Sequence, residues 1–593
     1  MSEAMESSQT VPGFTWPASS ATIQSKITFT WYDYALFSSM LVFSVLIGIW
    51  FGFIRKQNTA SDYLLGGRAM KPFPIAMSLV ASKISGVALL AIPADVYNFG
   101  INYSISCISV FLTAVINAYV YLPVFHKLQM TSTYEYLKMR FNAQIRMLAS
   151  FLFTLYVLLH LPVVIYVPAL ALEQVTNINI HMITPIICSV CIFYTTIGGL
   201  KAVVWTDMLQ FCVSIGAIIA VLYMGLISAG GIGNVFNKAA EGERFLQPDP
   251  TLRDSFWVIV LGWSFNSLSM LGVSQSCVQK FLALPTLSDA KKALAWYVVG
   301  AVTVKITCIL TGLIMYVKYF GCDPLLSGQI TKADKILPHY VMDVSGSVPG
   351  LPGLFIAGIF CASLSTLSAS LNCLAGTIYE DFLSQYMSKD ITEQRVGYIL
   401  KGLVIGIGVI SVLLVRVVEH LGNLLPIMIS FTGVASGPLL GIFTLGILFP
   451  KANAKGAMVG ALTALGMIST LFVTVQYYKA HKLITYTSKP VSTETCDFEF
   501  TPANSTNIDP RAQDDVLWLF RISFYYYTLI GASITLLVGN IVSAFTQDDS
   551  PPVHPDLLSP IIRRYLPDKK QYYTVDRALT MVTYDSNKQK ATS

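Results

Sequence analysis

The chain has 593 residues, of which 54% are hydrophobic and 12% are charged, with a net charge of +6 and a mean hydropathy of +0.60. A soluble protein carries about 25% charged residues, so the composition excludes a soluble globular domain and indicates a polytopic membrane protein. Because the opening residues lack a basic stretch followed by a short apolar one, we predict no cleavable signal peptide and expect the first span to act as an uncleaved signal.

Thirteen apolar segments are long enough to cross about 30 Å of hydrocarbon. They lie at 31–54, 73–97, 101–125, 147–172, 179–198, 203–228, 255–279, 293–318, 351–376, 396–417, 421–449, 456–477 and 517–545. Four connections are rich in lysine and arginine, and all four face the cytoplasm if the N-terminus is outside, as the positive-inside rule requires. Those connections are 55–72, 126–146, 280–292 and 451–455. We therefore predict an all-α polytopic membrane protein with about 13 transmembrane helices, an extracellular segment at 1–30, a transmembrane domain at 31–545 and a cytoplasmic tail at 546–593.

Two of these spans are interrupted by small and polar residues. The second contains "SKISG" at 82–86, and the seventh, five spans later, contains "NSLSMLGVSQS" at 266–276. Irregular backbone at membrane depth is tolerated where it lines a cavity, and paired interruptions in two halves indicate an inverted-repeat transporter. We place the two five-helix repeats at about 73–228 and 255–449. The alternative is that the glycines and serines only allow helices to pack closely.

Three ionisable residues lie inside the predicted spans. Lys83 is in the middle of "SLVASKISGVALL", where a lysine costs about 2.5 to 3.5 kcal/mol on insertion scales. Asp207, with Gln210 one turn further on, indicates a cation or proton site, or else a partner for a lysine such as Lys201. Lys305 is expected to face the carbonyls of another helix or to extend toward the membrane surface.

Hydroxyl groups are concentrated in the ninth span. Ala362, Ser365 and Thr366 share one helical face, and a carbonyl with two hydroxyls suits an alkali cation. The alternative is that both hydroxyls bond back to their own helix.

The longest connections are predicted to be extracellular. They are 229–254, 319–349 and 478–516. Asn504 begins an Asn-Ser-Thr sequon in the last of them and is a candidate glycosylation site. Cys322 and Cys496 could form a disulfide there, although the sequence does not show that they are adjacent. The chain has no Ser-His-Asp arrangement, metal-ligand spacing or phosphate loop, so we expect neither an enzyme nor a nucleic-acid-binding protein.

Five motifs in order along 31–545 resemble the sodium/solute symporter family. They are "DYLLGGR" at 62–68, "GGLKAVVWTDMLQ" at 198–210, "QSCVQK" at 275–280, the hydroxyl-rich ninth span and "GPLLGIFTLGILFPKANAKGAMVG" at 437–460. The last two motifs are similar to the branch of monocarboxylate, multivitamin and iodide symporters. The resemblance implies a LeuT-type 5+5 inverted repeat and alternating access, in which a bundle containing both broken helices rocks against the other helices.

The resemblance also implies a set of site residues. The substrate cavity is expected to involve Lys83, Val87, Leu271, Gln275 and Ile429. Ala301 and Ile429 replace polar side chains of the sugar-carrying branch, so a sugar is disfavoured. The main sodium site maps to the carbonyls of Ala81 and Ile84 together with Ala362, Ser365 and Thr366. A second sodium position maps to Ser82, Asp207, Gln210 and Gln275.

Lys83 departs from the family, whose members carry an aromatic residue or an asparagine at that position. It could pair with an anionic substrate, replace or compete with sodium, or be a bland residue that reaches a carbonyl or Asp207. The first interpretation predicts a plasma-membrane symporter that imports a small organic anion, such as a monocarboxylate, with sodium as coupling ion and no other cofactor. The alternative is a non-transporting, sodium-independent or proton-coupled member that acts as a solute sensor.

Overall fold

The computed structural model is all-helical over the residues that it describes, with no β-strand among them. It describes residues 29–54, 70–130, 132–176, 178–245, 253–330, 332–345, 348–384, 386–387, 392–419, 424–481, 483–484, 486, 488–496, 516–546 and 553–565. The candidate glycosylation site Asn504, the motif at 62–68 and nearly all of the predicted extracellular segment lie outside these ranges.

Nineteen α-helices follow one another along the described chain. In order they are α1 (Trp31–Ile49), α2 (Pro72–Lys83), α3 (Gly86–Phe99), α4 (Ser106–Ile116), α5 (Leu122–Leu128), α6 (Thr133–Arg140), α7 (Ala143–Thr176), α8 (Ile180–Ser228), α9 (Ile232–Glu241), α10 (Ser264–Leu268), α11 (Gln275–Leu282), α12 (Leu287–Lys318), α13 (Ile336–Ser345), α14 (Leu351–Ile378), α15 (Glu393–Val418), α16 (Leu424–Leu448), α17 (Ala454–Ala480), α18 (Tyr527–Phe545) and α19 (Pro560–Arg563). Short π-helical stretches extend α1, α14 and both ends of α10 and connect α4 to α5.

Ten helical segments within the described ranges are long and apolar enough to span a membrane, and the bent pair formed by α2 and α3 makes an eleventh. This finding supports a polytopic membrane protein but does not confirm the count of 13. The difference arises at two places. The 49-residue α8 covers two predicted spans and bends at Gly199, whose φ of 54° is non-helical. The stretch Val258–Val273 is apolar but short, because the seventh predicted span is interrupted.

Both predicted interruptions are present. Helices α2 and α3 meet at an angle of 58°, and Ile84 between them has a non-helical φ of −96° and ψ of 83°. Gly86 allows α3 to approach α14 closely, since a Cβ there would lie 2.2 Å from the Ser363 hydroxyl. The second break is at Ser274, whose extended backbone (φ −63°, ψ 128°) precedes α11. Polar backbone groups are therefore exposed at mid-helix in both repeats, as expected around a cavity.

Helix α14 forms the centre of the packing. It is buried along nearly its whole length, and it contacts α8, α7, α1 and α2. Glycines allow the closest approaches: a Cβ at Gly358 would lie 2.9 Å from the Ala217 side chain of α8. This close packing fixes the hydroxyl-rich face of α14 against the break between α2 and α3.

A covalent link closes one end of the helix bundle. Cys322, which follows α12, forms a disulfide with Cys496. The segment 488–496 also bonds to the end of α3, where the Lys489 amide donates to the Asn98 carbonyl at 2.9 Å. The predicted extracellular connections therefore come together above the end of the broken helix.

Part of the predicted cytoplasmic tail is packed against the opposite end of the helix bundle. Leu558 is fully buried, the Ser559 amide donates to the Ile447 carbonyl at 3.1 Å, and Asp556 pairs with Lys127 of α5. Burial of apolar side chains and an ion pair to a residue distant in sequence hold 553–565 in place. The proline-rich composition of this region did not indicate this packing.

Candidate functional site

A cavity of about 150 Å³ lies where the two breaks face each other. Ser85, Ala88 and Ile92 line it along one face of α3, at helical spacing. Its polar and ionisable wall residues are Ser82, Lys83, Ser85, Tyr103, Tyr156, His160, Trp263, Asn266, Ser267, Ser274, Ser276, Tyr297, Lys305, Cys308, Thr366, Ser370 and Thr432. The described part of the wall contains two lysines, one histidine and no aspartate or glutamate, so it carries net positive charge.

Lys83 ends α2 at the break and is partly buried in the cavity wall. Within the described residues its ammonium has no hydrogen bond or ion pair. The carboxylate considered for it in sequence is bonded elsewhere, since Asp207 pairs with Lys280 at 3.1 Å; Asp95 of α3 pairs with Arg253 at 2.5 Å. The bland interpretation, in which Lys83 reaches Asp207, is therefore not what the structure shows.

Lys305 of α12 also lines the cavity, so the expectation that it extends to the membrane surface is wrong. Its ammonium donates to the Tyr103 hydroxyl at 3.0 Å and to the Ser106 hydroxyl at 2.9 Å. It also lies 4.5 Å from the ring centre of Tyr103 and 5.1 Å from that of Trp263. Cation–π contacts and hydroxyls solvate the ammonium without neutralising it.

The structure places two of the five predicted substrate residues in the wall, Lys83 and Ile429. Val87 is fully buried in the core because it lies about 200° around α3 from Ser85. Leu271 packs in the apolar core beside α4 and α5, next to the cavity residue Met270. In both cases the residue that lines the cavity is the adjacent one in sequence, Ala88 for Val87 and Met270 for Leu271.

Gln275 is the third predicted substrate residue that the wall does not include. Its neighbours Ser274 and Ser276 line the cavity, whereas the Gln275 side-chain oxygen accepts from the Thr133 amide at 2.6 Å. It therefore joins the start of α11 to α6, which is a positioning contact between elements.

The predicted main cation set is brought together. The Ser365 hydroxyl donates to the Ala81 carbonyl at 2.9 Å and to the Ala362 carbonyl at 3.0 Å. Thr366 donates to the Ala362 carbonyl at 3.1 Å and to the Ser82 carbonyl at 3.3 Å. Ile84, with Ala81 and Ala362, borders a void of about 10 Å³. The two hydroxyls thus bond both to their own helix, as the alternative expected, and to carbonyls at the break, which groups neutral oxygens of the kind that suits an alkali cation.

The predicted second cation set is only partly brought together. The Asp207 carboxylate accepts from Ser78 at 2.6 Å and from Ser82 at 3.2 Å. The Gln210 amide donates instead to the Ser44 hydroxyl at 3.2 Å. Gln275 accepts from the Thr133 amide, so the contacts seen for the two glutamines lead to Thr133 and Ser44.

The ammonium of Lys280 lies in this second set. It bonds to Asp207 at 3.1 Å, to the Ser78 carbonyl at 3.1 Å and to the Ser82 hydroxyl. Sequence reasoning missed Lys280 because it falls at the edge of a predicted cytoplasmic connection. Its charge was therefore explained by the positive-inside rule and not by a site. Its burial, with 2% of the residue exposed, follows from the break at Ser274, which directs α11 against α2.

His160 is a second missed residue. It lines the cavity from α7 and stacks on Tyr156, with ring centres 5.4 Å apart. Its Nδ1 is buried without a hydrogen bond among the described residues. No period or motif distinguishes it in sequence from the other scattered histidines.

Comparisons with known proteins agree with this geometry. The model of the sodium:solute symporter family matches residues 63–464. Sodium-coupled monocarboxylate transporter 1 of Xenopus laevis is 36% identical over 535 residues, which cover 87% of this chain and 86% of that protein. Sodium-coupled monocarboxylate transporter 2 of Mus musculus is 36% identical over 92% of this chain and 88% of its own. A putative sodium-dependent multivitamin transporter of Drosophila melanogaster is 34% identical over 86% of both.

Solved structures share the fold. A Na⁺-coupled sialic acid symporter in a substrate-bound, outward-open state matches with a TM-score of 0.72 at 24% identity, covering 89% of this chain and 99% of that one. The nucleobase-cation-symport-1 family transporter Mhp1 matches with a TM-score of 0.52 at 16% identity, covering 82% of this chain and 95% of its own. With the family match, the similarity of the relatives and the paired broken helices, this chain belongs to the sodium:solute symporter family.

Proposed function

We propose that this symporter uses the inward sodium gradient to import a small organic anion, with short monocarboxylates as the first class to test. The proposal places the protein in the plasma membrane with its N-terminus outside. Each sodium ion moved inward contributes about 2.3 kcal/mol per 100 mV of membrane potential. Relatives named as sodium-coupled monocarboxylate transporters support this function over that of a solute sensor.

One observation carries the proposal: among the residues that the structure describes, the Lys83 ammonium has no hydrogen bond or ion pair, and the cavity wall contains no carboxylate. An uncompensated charge at membrane depth is costly, and an anionic substrate supplies the missing counter-charge. The surrounding wall is apolar and aromatic, including Phe153, Tyr156 and Trp263. Such a wall favours a carboxylate with a carbon body over a small, strongly hydrated ion.

The cation and anion positions are adjacent, which provides a physical basis for coupling. Thr366 belongs to the main cation set and also lines the cavity, as does Ser82. Sodium held by Ala81, Ile84, Ala362, Ser365 and Thr366 would therefore order the break that presents Lys83. Anion binding is then expected to strengthen with sodium, since each ligand stabilises the same local geometry.

Uptake of labelled anions in cells or proteoliposomes tests the proposal. We expect uptake of at least one short monocarboxylate in sodium medium and none when choline replaces sodium. Sodium-independent uptake that falls as external pH rises would instead make Lys83 the coupling group. The sensor alternative requires that no carboxylate is transported and that Lys83→Phe restores uptake.

Loss of one hydroxyl from the main cation set should weaken sodium activation. For Ser365→Ala we expect the half-saturating sodium concentration to rise about tenfold, because a lost oxygen ligand or hydrogen bond costs about 1.5 kcal/mol. The matched control is Ser411→Ala, which removes a buried hydroxyl that bonds only within α15 to Ile407. An unchanged sodium dependence in Ser365→Ala, measured by uptake, would remove this residue from the site.

The proposed orientation can be tested at Asn504, which lies outside the described residues. The disulfide between Cys322 and Cys496 favours an oxidising compartment for that side of the membrane. We expect a mobility shift on treatment with a glycosidase, and no such shift in Asn504→Gln.

A further inference from the structure

The cavity contains more positive charge than one carboxylate can neutralise. Lys83 and Lys305 both line it, and the wall residues that the structure describes include no acidic one. Within the described residues Lys305 forms no ion pair, since its ammonium contacts two hydroxyls and two aromatic rings. When a monocarboxylate pairs with Lys83, the charge of Lys305 remains uncompensated at membrane depth, which is unfavourable.

The two lysines belong to different parts of the cavity wall. Lys83 is at the break that ends α2. Lys305, in contrast, projects from α12 toward Tyr103 and Ser106, which lie just before and at the start of α4. The face of α3 formed by Ser85, Ala88 and Ile92 extends over seven residues, or about 10 Å at 1.5 Å per residue. The cavity is therefore elongated along α3, with room for a ligand that has two separate ends.

The volume agrees with a ligand larger than the shortest carboxylates. A protein cavity of about 150 Å³ holds a body the size of benzene, and this cavity has about that volume. Carbon linkers can contact Phe153, Trp263 and Ile429 between the two charged ends. A carboxylate with several carbons and a second polar end uses the wall more fully than acetate does.

We propose that Lys305, with Tyr103 and Ser106, forms a second anionic subsite, so that the preferred substrates are short dicarboxylates whose first carboxylate pairs with Lys83. This inference rests on the proposed function, because it assumes that the cavity binds organic anions. Charge-assisted hydrogen bonds from Lys305 and from the Tyr103 hydroxyl would hold the second carboxylate. The aromatic rings of Tyr103 and Trp263 keep the ammonium in place when the subsite is empty.

The test is competition by a homologous series. Unlabelled dicarboxylates from malonate to pimelate are compared with the monocarboxylates of the same carbon number as inhibitors of sodium-dependent uptake of a labelled monocarboxylate. We expect at least one chain length at which the dicarboxylate inhibits at about tenfold lower concentration than its monocarboxylate partner. In Lys305→Met that ratio should fall to about one, whereas Lys305→Arg should retain it.

Lys318→Met is the matched control, because it removes an exposed lysine from the end of the same helix, and its ratio should equal that of the wild type. The subsite is disproved if no dicarboxylate has an advantage, or if Lys305→Met weakens mono- and dicarboxylates equally, while sodium-dependent monocarboxylate uptake persists. An advantage that requires removal of chloride would assign the subsite to an inorganic anion and also overturn the proposal. Absence of sodium-dependent uptake of any carboxylate would instead refute the proposed function, and the subsite with it.

Discussion

Replacing Lys83 with methionine is expected to lower the uptake of a monocarboxylate about 100-fold at substrate concentrations below half-saturation. The reason is that a charge-assisted bond to the substrate contributes about 1.5 to 3 kcal/mol, and about 2.7 kcal/mol corresponds to 100-fold. Methionine has nearly the same length and apolar stem, so the shape of the cavity wall changes little. The measurement is initial uptake of a labelled monocarboxylate in sodium medium, corrected for the amount of protein at the surface.

The same substitution should make the unliganded protein more stable. Because the Lys83 ammonium has no counter-charge among the described residues, its removal eliminates the unfavourable free energy of partly desolvating a charge. We therefore expect Lys83→Met to unfold at a higher temperature in detergent while it loses transport, the trade-off between stability and activity seen at functional sites. Lys83→Arg should keep part of the activity, since the charge remains but its geometry changes.

Two results would contradict the assigned role of Lys83. Uptake that is unchanged in Lys83→Met would show that the anion does not pair with this lysine. Uptake that increases would show that the ammonium obstructs the site, as the interpretation of a blocked family member requires. Lys318→Met, at the exposed end of α12, is the control for a general effect of lost charge.

The sequence predicted the fold and its interruptions because both depend on composition and spacing. Apolar length defined the spans, and "SKISG" and "NSLSMLGVSQS" located the breaks at Ile84 and Ser274. The disulfide partners could be proposed from topology, but only the structure places Cys322 and Cys496 together. The number of spans could not be predicted as well. Two predicted spans form the single bent helix α8, and the seventh predicted span is broken into short helices, and hydropathy does not distinguish these cases from separate full-length spans.

Those candidate site residues whose positions depend on local helical spacing could be predicted to lie together. Those whose positions depend on packing between distant parts of the chain were missed. Ala362, Ser365 and Thr366 share a face by helical period alone, so their convergence could be anticipated. Val87 was displaced by one helix position because the break at Ile84 resets the helical phase. Leu271 was displaced by one position within the π-helical stretch Ser269–Val273, whose period differs from that of an α-helix. Lys280 was assigned to a loop, and Lys305 to the carbonyls of another helix or to the membrane surface, because their partners are distant in the chain.

The pair formed by Asp207 and Lys280 provides the second large expected effect. Lys280 is 2% exposed and Asp207 is fully buried, so each single substitution leaves a buried charge without its partner. Such a loss costs about 3 to 5 kcal/mol. We expect Asp207→Asn and Lys280→Met each to lower the unfolding temperature strongly, and the double variant to recover most of the loss. Thermal unfolding of the four purified proteins in detergent gives the coupling energy.

The cycle also distinguishes a structural ion pair from a cation ligand at Asp207. One oxygen of this carboxylate is bonded to Lys280, Ser78 and Ser82, whereas the other, Oδ1, is buried without a hydrogen bond among the described residues. If Asp207 serves Lys280, the stable double variant retains the wild-type sodium activation. If sodium binds at Oδ1, the double variant is stable but needs at least about tenfold more sodium. The pair Asp289 and Lys292, the same residue types at the surface of α12, is the control and should show no resolvable coupling.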